Sequence, residues 1–380
     1  MMNKLNCLAP YGHYHLDVHG YAKPCCWWLV NPDKKLSEFS NLEEIGKFHA
    51  DLMLDDKLLD TSCSKCILYE QKNSTSLRNI IHRNVKEQDE LHRPVELEIS
   101  LDSVCNFACV ICDGVRSSKW RSLQKKVDWT PKQNSEDPNH FETVMRLLKN
   151  SDLSQLKEIK MLGGEPFYTK NFIDFINLIS EKCDISKITL MITSNMSVFP
   201  NNELYKVLLR FKNVKLMASL DAVGTTAETV RFGTKWEQVE ENLVRWIDEV
   251  VKRKGRGLQL AFAPTFSLYN LEHVESLKHW YVRKTGFKCP MMFTLARESY
   301  LTIENLDQEF RQQFDGNQFP HPKWLVDQDF FGKWPKKENV DYDLIYRYIE
   351  TYSNITGIDI ASTIPKTMEQ LKRQQNVSIR

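Results

Sequence analysis

From residue 95 to about residue 295, short apolar runs alternate with longer amphipathic stretches. "VELEISL" (95–101), "LKEIKML" (156–162), "KITLMIT" (187–193), "VKLMASL" (214–220), "LQLAFAPTF" (258–266) and "KCPMMFTL" (288–295) have the length and composition of strands. Between them, "HFETVMRLLKN", "NFIDFINLISEKC", "NELYKVLLRF", "WEQVEENLVRWIDEVVKRKG" and "LEHVESLKHWYVRKTG" space their apolar residues by three and four, as helices do. Strands separated by helices predict parallel βα units, because a helical crossover returns the next strand in the same direction. Six such units over roughly 200 residues predict an α/β fold, a partial (β/α)6 parallel barrel. No dinucleotide-binding glycine fingerprint follows the first strand. Chemistry in parallel barrels collects at the C-terminal ends of the strands. The segments that directly follow each strand are therefore the places to look.

The pattern changes on both sides of this region. In residues 1–80, "HLDVHGYAKPCCWWLV" alternates and contains Gly20 and Pro24, which reads as a short hairpin. His13, His15 and His19 read as surface positions on one face of that strand, opposite Tyr14 and Leu16. "NLEEIGKFHADLML" reads as a helix capped by Asn41. The segment is too short for a large core, so a bound metal would help to hold it. At the other end, "FPHPKWLVDQDFFGKWPKK" reads as loop and "YDLIYRYIETYSN" as a helix that covers the barrel or the N-terminal part. The expected division is residues 1–80, a core of 90–300, and an aromatic and helical extension of 301–380.

Composition narrows the function. Lys+Arg 51 against Asp+Glu 50 gives a net charge of +1, with no global pull towards nucleic acid or an anionic membrane. The basic run "VVKRKGRG" reads as the end of a helix, where positive charge suits the dipole. No apolar run reaches the roughly 18 residues of a spanning helix. "MMNKLNCLAPYGHYH" has no basic-then-apolar signal pattern, so a cytoplasmic protein with no membrane partner is expected. In a reducing compartment the ten cysteines are not a disulfide framework. Cys7, Cys25, Cys26, Cys63 and Cys66 form one group and Cys105, Cys109 and Cys112 another, while Cys183 and Cys289 read as core residues. Chance would give about 0.007 matches to the C-x3-C-x2-C spacing in a chain of this cysteine content. A structural zinc site closes with four ligands, and no fourth stands at an obvious spacing from these three. Iron–sulfur clusters prefer thiolates, and three cysteines leave one iron open for another ligand.

"CNFACVIC" resembles the cluster-binding motif of the radical S-adenosylmethionine (SAM) superfamily. The resemblance implies a [4Fe-4S] cluster held by Cys105, Cys109 and Cys112. SAM would chelate the fourth iron and be cleaved reductively to a 5′-deoxyadenosyl radical. "LGGEPF" resembles the family's GGEP motif, in which Gly163 and Gly164 let the backbone approach a ligand. Their carbonyls, with Glu165, would accept hydrogen bonds from the SAM ammonium, and Pro166 stiffens the turn. The resemblance implies that Ser194 and Asn195 of "TSN" contact the SAM ribose or carboxylate, and Ser219 and Asp221 of "SLDA" match polar strand-end positions of the family. Arg231 of "VRFGTKWEQVEENL" matches the arginine that meets the SAM carboxylate, a group that a guanidinium suits bidentately. One position departs from the family. The residue before the third cysteine is often aromatic there and packs near the adenine. Here it is Ile111, which keeps an apolar contact and loses the stacking.

Upstream, the order Cys7, Gly20-x4-Cys25, Cys63-x2-Cys66 resembles a twitch module, the shortened relative of the SPASM domain, placed before the core. It implies an auxiliary [4Fe-4S] cluster held by Cys7, Cys25, Cys63 and Cys66, with Cys26 the alternative to Cys25. Four protein ligands favour electron transfer or structural support over substrate binding at iron. A zinc site with four cysteines is the rival. The implied partners are a reductant such as flavodoxin or ferredoxin and a substrate that loses a hydrogen atom. The substrate is expected to be a peptide or protein, with small-molecule dehydrogenation as the second reading. A non-catalytic zinc-binding interaction protein is the alternative of another class. No catalytic acid or base is assigned.

Overall fold

The computed structural model describes residues 6–71, 75–86, 92–125, 136–286, 288–292, 294–314 and 336–378. Most of the loop expected over 319–337 lies outside these. Ten strands occur among the described residues: β1 (His13–Leu16), β2 (Glu96–Ser100), β3 (Ala108–Cys109), β4 (Glu158–Leu162), β5 (Thr189–Ser194), β6 (Asn213–Ala218), β7 (Arg231–Phe232), β8 (Leu258–Phe262), β9 (Thr265–Phe266) and β10 (Thr294–Leu295). Six of them make one sheet in the order β1-β2-β4-β5-β6-β8. The registers β1–β2, β2–β4 and β4–β5 are parallel. The chain is thus an α/β fold with a six-stranded parallel sheet.

The membership of that sheet differs from the expectation at both edges. β1 belongs to the predicted hairpin, yet it runs parallel to β2, with His13 opposite Glu96 and His15 opposite Glu98. The return arm is reduced to single bridges, His15 to Lys23 and Tyr21 to Lys35, around Gly20 in its left-handed conformation. The predicted strand 258–266 is split into β8 and β9 at Ala263 and Pro264. A proline has no N–H to give a ladder. The last predicted strand, 288–295, is not part of the six-stranded sheet. It survives as a bridge from Met291 to Phe262 and as β10 paired with β9.

The fold divides into two compact units. One comprises Met1–Val104, Asn134–Thr193 and Pro200–Lys215; the other comprises Cys105–Gln133, Ser194–Phe199 and Leu216–Arg380. In the first unit the strands have two unlike faces. Tyr14, Leu16, Leu97, Ile99, Ile159, Met161, Leu190 and Ile192 are buried on one. The helix His140–Asn150 buries Val144, Leu147 and Leu148, and the helix Lys170–Lys182 buries Phe172, Phe175, Ile176 and Ile179. These are the three- and four-residue spacings that made the helices legible. The opposite strand face carries His13, His15, Glu96, Glu98 and Lys160. The histidines are not surface residues: His13 is 0% and His15 8% exposed. They are buried because each has a carboxylate on the neighbouring strand, His13 Nδ1 at 3.1 Å from Glu96 and His15 Nδ1 at 3.1 Å from Glu98. Burial disfavours charge on His15, but Asp17 and Glu98 outweigh it and lift its pKa to about 9.

In the second unit the helix Trp236–Lys252 buries Val239, Leu243, Trp246, Ile247 and Val250. The expected C-terminal helix is present as Tyr342–Thr356, capped by the Asp341 side chain and stopped by Gly357 in the left-handed conformation. In the first unit, the helix Leu42–Leu52 begins as expected, with the Asn41 side chain accepting a hydrogen bond from the Glu44 N–H at 2.9 Å.

Candidate functional site

In the first unit, the turn after β4 lies against the chain leaving β2. Gly163 has φ +101, a conformation that favours glycine. A Cβ there would stand 2.8 Å from the Asp102 carbonyl oxygen, and one on Gly164 only 2.2 Å from that of Val104. The glycines are therefore required by the approach of the protein's own backbone. Two bonds fix the approach: Gly164 N–H to Asp102 O at 3.2 Å and Glu165 N–H to Val104 O at 2.8 Å. Glu165 is buried, and its carboxylate accepts from the Phe167 N–H at 3.2 Å. Sequence reading missed Asp102. Its carboxylate accepts from the Val104 N–H at 2.8 Å, and from Thr169 Oγ1 and Asn171 Nδ2 at 2.7 Å each. It ties the turn after β2 to the turn after β4, and Cys105 follows directly in the chain. Only its place one residue after the predicted strand marked it.

In the second unit, the three cysteines occupy one short loop. Cys109 sits in β3, paired antiparallel with Arg231 of β7. Each thiol has a polar neighbour. Cys105 Sγ lies 3.5 Å from the Phe107 N–H and 3.9 Å from Asn195 Nδ2. Cys109 Sγ lies 3.7 Å from Arg231 Nη1, and Cys112 Sγ lies 3.8 Å from the Asp113 carbonyl. Burial pushes Cys109 up to about 12 against the pull of Arg231, and burial also raises Cys112. As bare thiols Cys109 and Cys112 hold their protons. A metal that binds them must displace those protons, so binding is coupled to proton release.

Asp221 and Arg231 are brought together. Arg231 Nη2 lies 2.8 Å from Asp221 Oδ2, and Asp221 Oδ1 accepts from the Thr265 N–H at 2.8 Å. Arg231 Nε is buried with no hydrogen-bond partner in the protein, an orphan donor of the kind a ligand satisfies. Asn195 also donates to Asn106 Oδ1 at 3.0 Å, and Asn106 Nδ2 donates to Ser197 Oγ at 2.9 Å, a link the sequence did not reveal. The Ser194 hydroxyl accepts from the Met196 N–H at 3.0 Å, and its carbonyl accepts from the Ser219 N–H at 2.8 Å. Ile111 is half-buried within the cysteine loop.

The N-terminal cysteines also meet, within the first unit. Cys7, Cys25, Cys63 and Cys66 line one small cavity, with Trp28, Met53 and Arg78. Cys26 is not among its walls. It is exposed, and its thiol stands beside the Glu98 carboxylate. Burial pushes Cys7 up to about 11 and Cys63 up to about 12, and raises Cys25. Arg78 pairs with Glu70, with Nε 3.1 Å from Oε1. None of the ten cysteines forms a disulfide. Among the described residues no group of three or more His, Cys, Asp or Glu side chains is already arranged around a metal position. The donor sets nonetheless fit soft thiolate-ligated metals, with four thiols on an apolar cavity in one case and three in a loop beside a guanidinium in the other.

Residues 99–275 match the model of the radical SAM superfamily. The chain is 27% identical over 193 residues to a GTP 3′,8-cyclase of Campylobacter lari, covering 50% of this chain and 53% of that one. It thus spans about half the length of that curated relative. Among solved structures, it is similar to Streptococcus suis SuiB bound to S-adenosylmethionine, at 13% identity and a TM-score of 0.34 over 64% of this chain and 44% of that one. It is also similar to anSMEcpe with bound AdoMet, at 17% identity and a TM-score of 0.37 over 54% and 52% of the two chains.

Proposed function

We propose that this chain, a radical SAM enzyme by the superfamily domain spanning residues 99–275, cleaves SAM reductively and abstracts a hydrogen atom from a peptide or protein substrate. The observation that carries this reading is the Cys105–Cys109–Cys112 loop with Arg231 at 3.7 Å from Cys109 and its Nε unpartnered. When bound, the [4Fe-4S] cluster and SAM supply the one-electron cleavage that yields the 5′-deoxyadenosyl radical.

The chain's own residues have separable tasks in this reading. Cys105, Cys109 and Cys112 hold the cluster. Asn195 and the Phe107 N–H hydrogen-bond the Cys105 sulfur, and Arg231 offsets negative charge at Cys109. Asp221 keeps the Arg231 guanidinium in one orientation, leaving Nε to meet the SAM carboxylate. Asp102 and the two glycines hold the Gly163–Glu165 turn against residues 102–104, and its carbonyls and Glu165 are the groups assigned to the SAM ammonium. Ser194 and Ser219 shape the strand ends, and Ile111 gives the adenine an apolar neighbour.

The second donor set is assigned to an auxiliary [4Fe-4S] cluster held by Cys7, Cys25, Cys63 and Cys66. The common cavity supports this, and it supports Cys25 over Cys26. The electron for SAM cleavage comes from a flavodoxin or ferredoxin. A peptide or protein substrate is the first reading, and the twitch-like cysteine order is compatible with it. Similarity to a GTP 3′,8-cyclase, named for a nucleotide, favours a small-molecule substrate as the second reading.

The test is anaerobic reconstitution followed by iron analysis and SAM turnover. About eight irons per chain are expected, as two four-iron clusters. Changing Cys105, Cys109 and Cys112 together to alanine halves that iron and abolishes 5′-deoxyadenosine formation. Retained SAM cleavage in the triple variant, or a colourless wild-type protein holding zinc, defeats the reading. The substrate is sought by incubating the enzyme and SAM with cell extracts and finding which molecule loses hydrogen mass.

A further inference from the structure

The cysteine loop is gripped by a helix 238 positions further along the chain. Within the second unit, Tyr348 and Tyr352 stand four residues apart on the helix Tyr342–Thr356, and so on one face of it. They are 1% and 0% exposed. A buried tyrosine hydroxyl needs a partner, and both find theirs on the backbone around Cys109. Tyr348 donates to the Val110 carbonyl at 2.5 Å. The Tyr352 hydroxyl lies 2.8 Å from the Thr229 carbonyl and 3.2 Å from that of Ala108. A phenol has one proton to give, so these two carbonyls share it. Trp120 Nε1 donates to the carbonyl of Cys109 itself at 2.7 Å, and its ring lies 5.7 Å from that of Tyr352. Three consecutive carbonyls, of Ala108, Cys109 and Val110, are thus each held by a buried side chain.

The position of Tyr352 gives this a consequence. Ala108 belongs to β3, which pairs with β7. Thr229 lies two residues before Arg231, in the last turn of the helix Gly224–Val230 that runs directly into β7, and the Val110 N–H donates to the Val230 carbonyl at 2.8 Å. One hydroxyl therefore bridges β3 and the helix end from which β7 starts, the two elements that place Arg231 against Cys109. Burial raises the tyrosine pKa values above their ordinary range, which keeps the hydroxyls as neutral donors.

We propose that Tyr352, supported by Tyr348, is a positioning residue for the cofactor site. The C-terminal helix fixes the separation of Cys109 from Arg231, and with it the fit of SAM beside the cluster. The proposal rests on the SAM-binding role of this loop. It assigns the region after residue 340 to the cofactor machinery and not merely to packing.

The test uses the full chain, reconstituted anaerobically, with Tyr352→Phe, Tyr348→Phe and Tyr346→Phe. Tyr346 lies on the same helix, and its buried hydroxyl has no hydrogen-bond partner, so it serves as the control. Iron per chain is counted. The electron paramagnetic resonance spectrum of the reduced cluster is then followed as SAM is titrated in. Phenylalanine keeps the ring, so iron content should stay at the wild-type value in all three. SAM affinity should fall about tenfold in Tyr352→Phe, and roughly threefold in Tyr348→Phe, where one bond is lost. Tyr346→Phe should match the wild type. Should Tyr352→Phe lose iron on reconstitution, the Tyr348→Phe titration decides. Wild-type affinity and spectra in both Tyr352→Phe and Tyr348→Phe would show that the helix only packs. A wild-type protein whose cluster spectrum ignores SAM would fail the functional reading, and the proposal with it.

Discussion

Cys25 and Cys26 are adjacent in sequence and opposite in setting. Cys25 shares a cavity wall with Cys7, Cys63 and Cys66, whereas Cys26 stands beside Glu98. Cys25→Ser should therefore cost about four of the eight irons expected of two four-iron clusters. Cys26→Ser should cost none, and the iron assay distinguishes them directly. Gly164 makes a second residue-scale case. Its added Cβ would lie 2.2 Å from a backbone oxygen, which cannot swing aside as a side chain can. Gly164→Ala is expected to destabilise the fold by about 3 kcal/mol, read by chemical denaturation. An alanine variant within about 0.5 kcal/mol of wild type would contradict the close approach. The glycine pair was legible as a motif. Its physical cause was not, because sequence gives no hint that residues 102–104 run alongside.

At the scale of elements, β1 is the main departure from expectation. Alternation in "HYHL" is visible in the sequence, but alternation does not say which neighbour a strand pairs with. Pairing with β2 buries the histidines against Glu96 and Glu98, and this has a pH signature. His15 moves from an unfolded value near 6.5 to about 9 in the fold. Its contribution is fully present below pH 6.5 and is lost as pH rises through 9. Asp17 and Glu98 are held at about 2, because His15 outweighs the burial that would raise them. Their contribution is lost only as pH falls below the ordinary carboxylate range. His49 runs the other way. Burial holds it neutral, down to about 3, so its contribution falls as pH drops below 6.5. Between pH 6.5 and 9, His15 alone of these four titrates. The melting temperature should decline across that window in the wild type and stay flatter in His15→Gln. Parallel curves for the two proteins would remove the ion pair as the cause. The helices were easier to foresee, since three- and four-residue apolar spacing is a local property, and "NFIDFINLIS" buries the expected face.

At the scale of the whole molecule, one cysteine group shares a loop and the other a cavity wall, and burial raises the pKa of Cys109 and Cys112 in the first and of Cys7, Cys25 and Cys63 in the second. Bound metal should then be a part of the stability of the native protein. Anaerobic chelation is expected to lower the melting temperature by roughly 5 °C or more. The Cys105/Cys109/Cys112 triple variant, which keeps the N-terminal set, should lose less than the fully chelated protein. Calorimetry on the three forms checks this, and an unchanged melting temperature on chelation would separate metal from stability. No helix among the described residues is long and apolar enough to cross a membrane.

The sequence by itself determined the alternation of strands and helices, the place of the three cysteines after the first core strand, and the glycines after the second. These are local patterns, set by side-chain period and by spacing along the chain. Tertiary structure alone decided which partner each group meets. It paired β1 with β2, separated Cys25 from Cys26, joined Asp221 to Arg231, and brought Tyr348 and Tyr352 to the carbonyls around Cys109. The strand pairing and the tyrosine contacts join residues far apart in sequence, and the other two depend on where each side chain lands in the fold. Such contacts follow from the three-dimensional closure of the chain, and no periodicity records them.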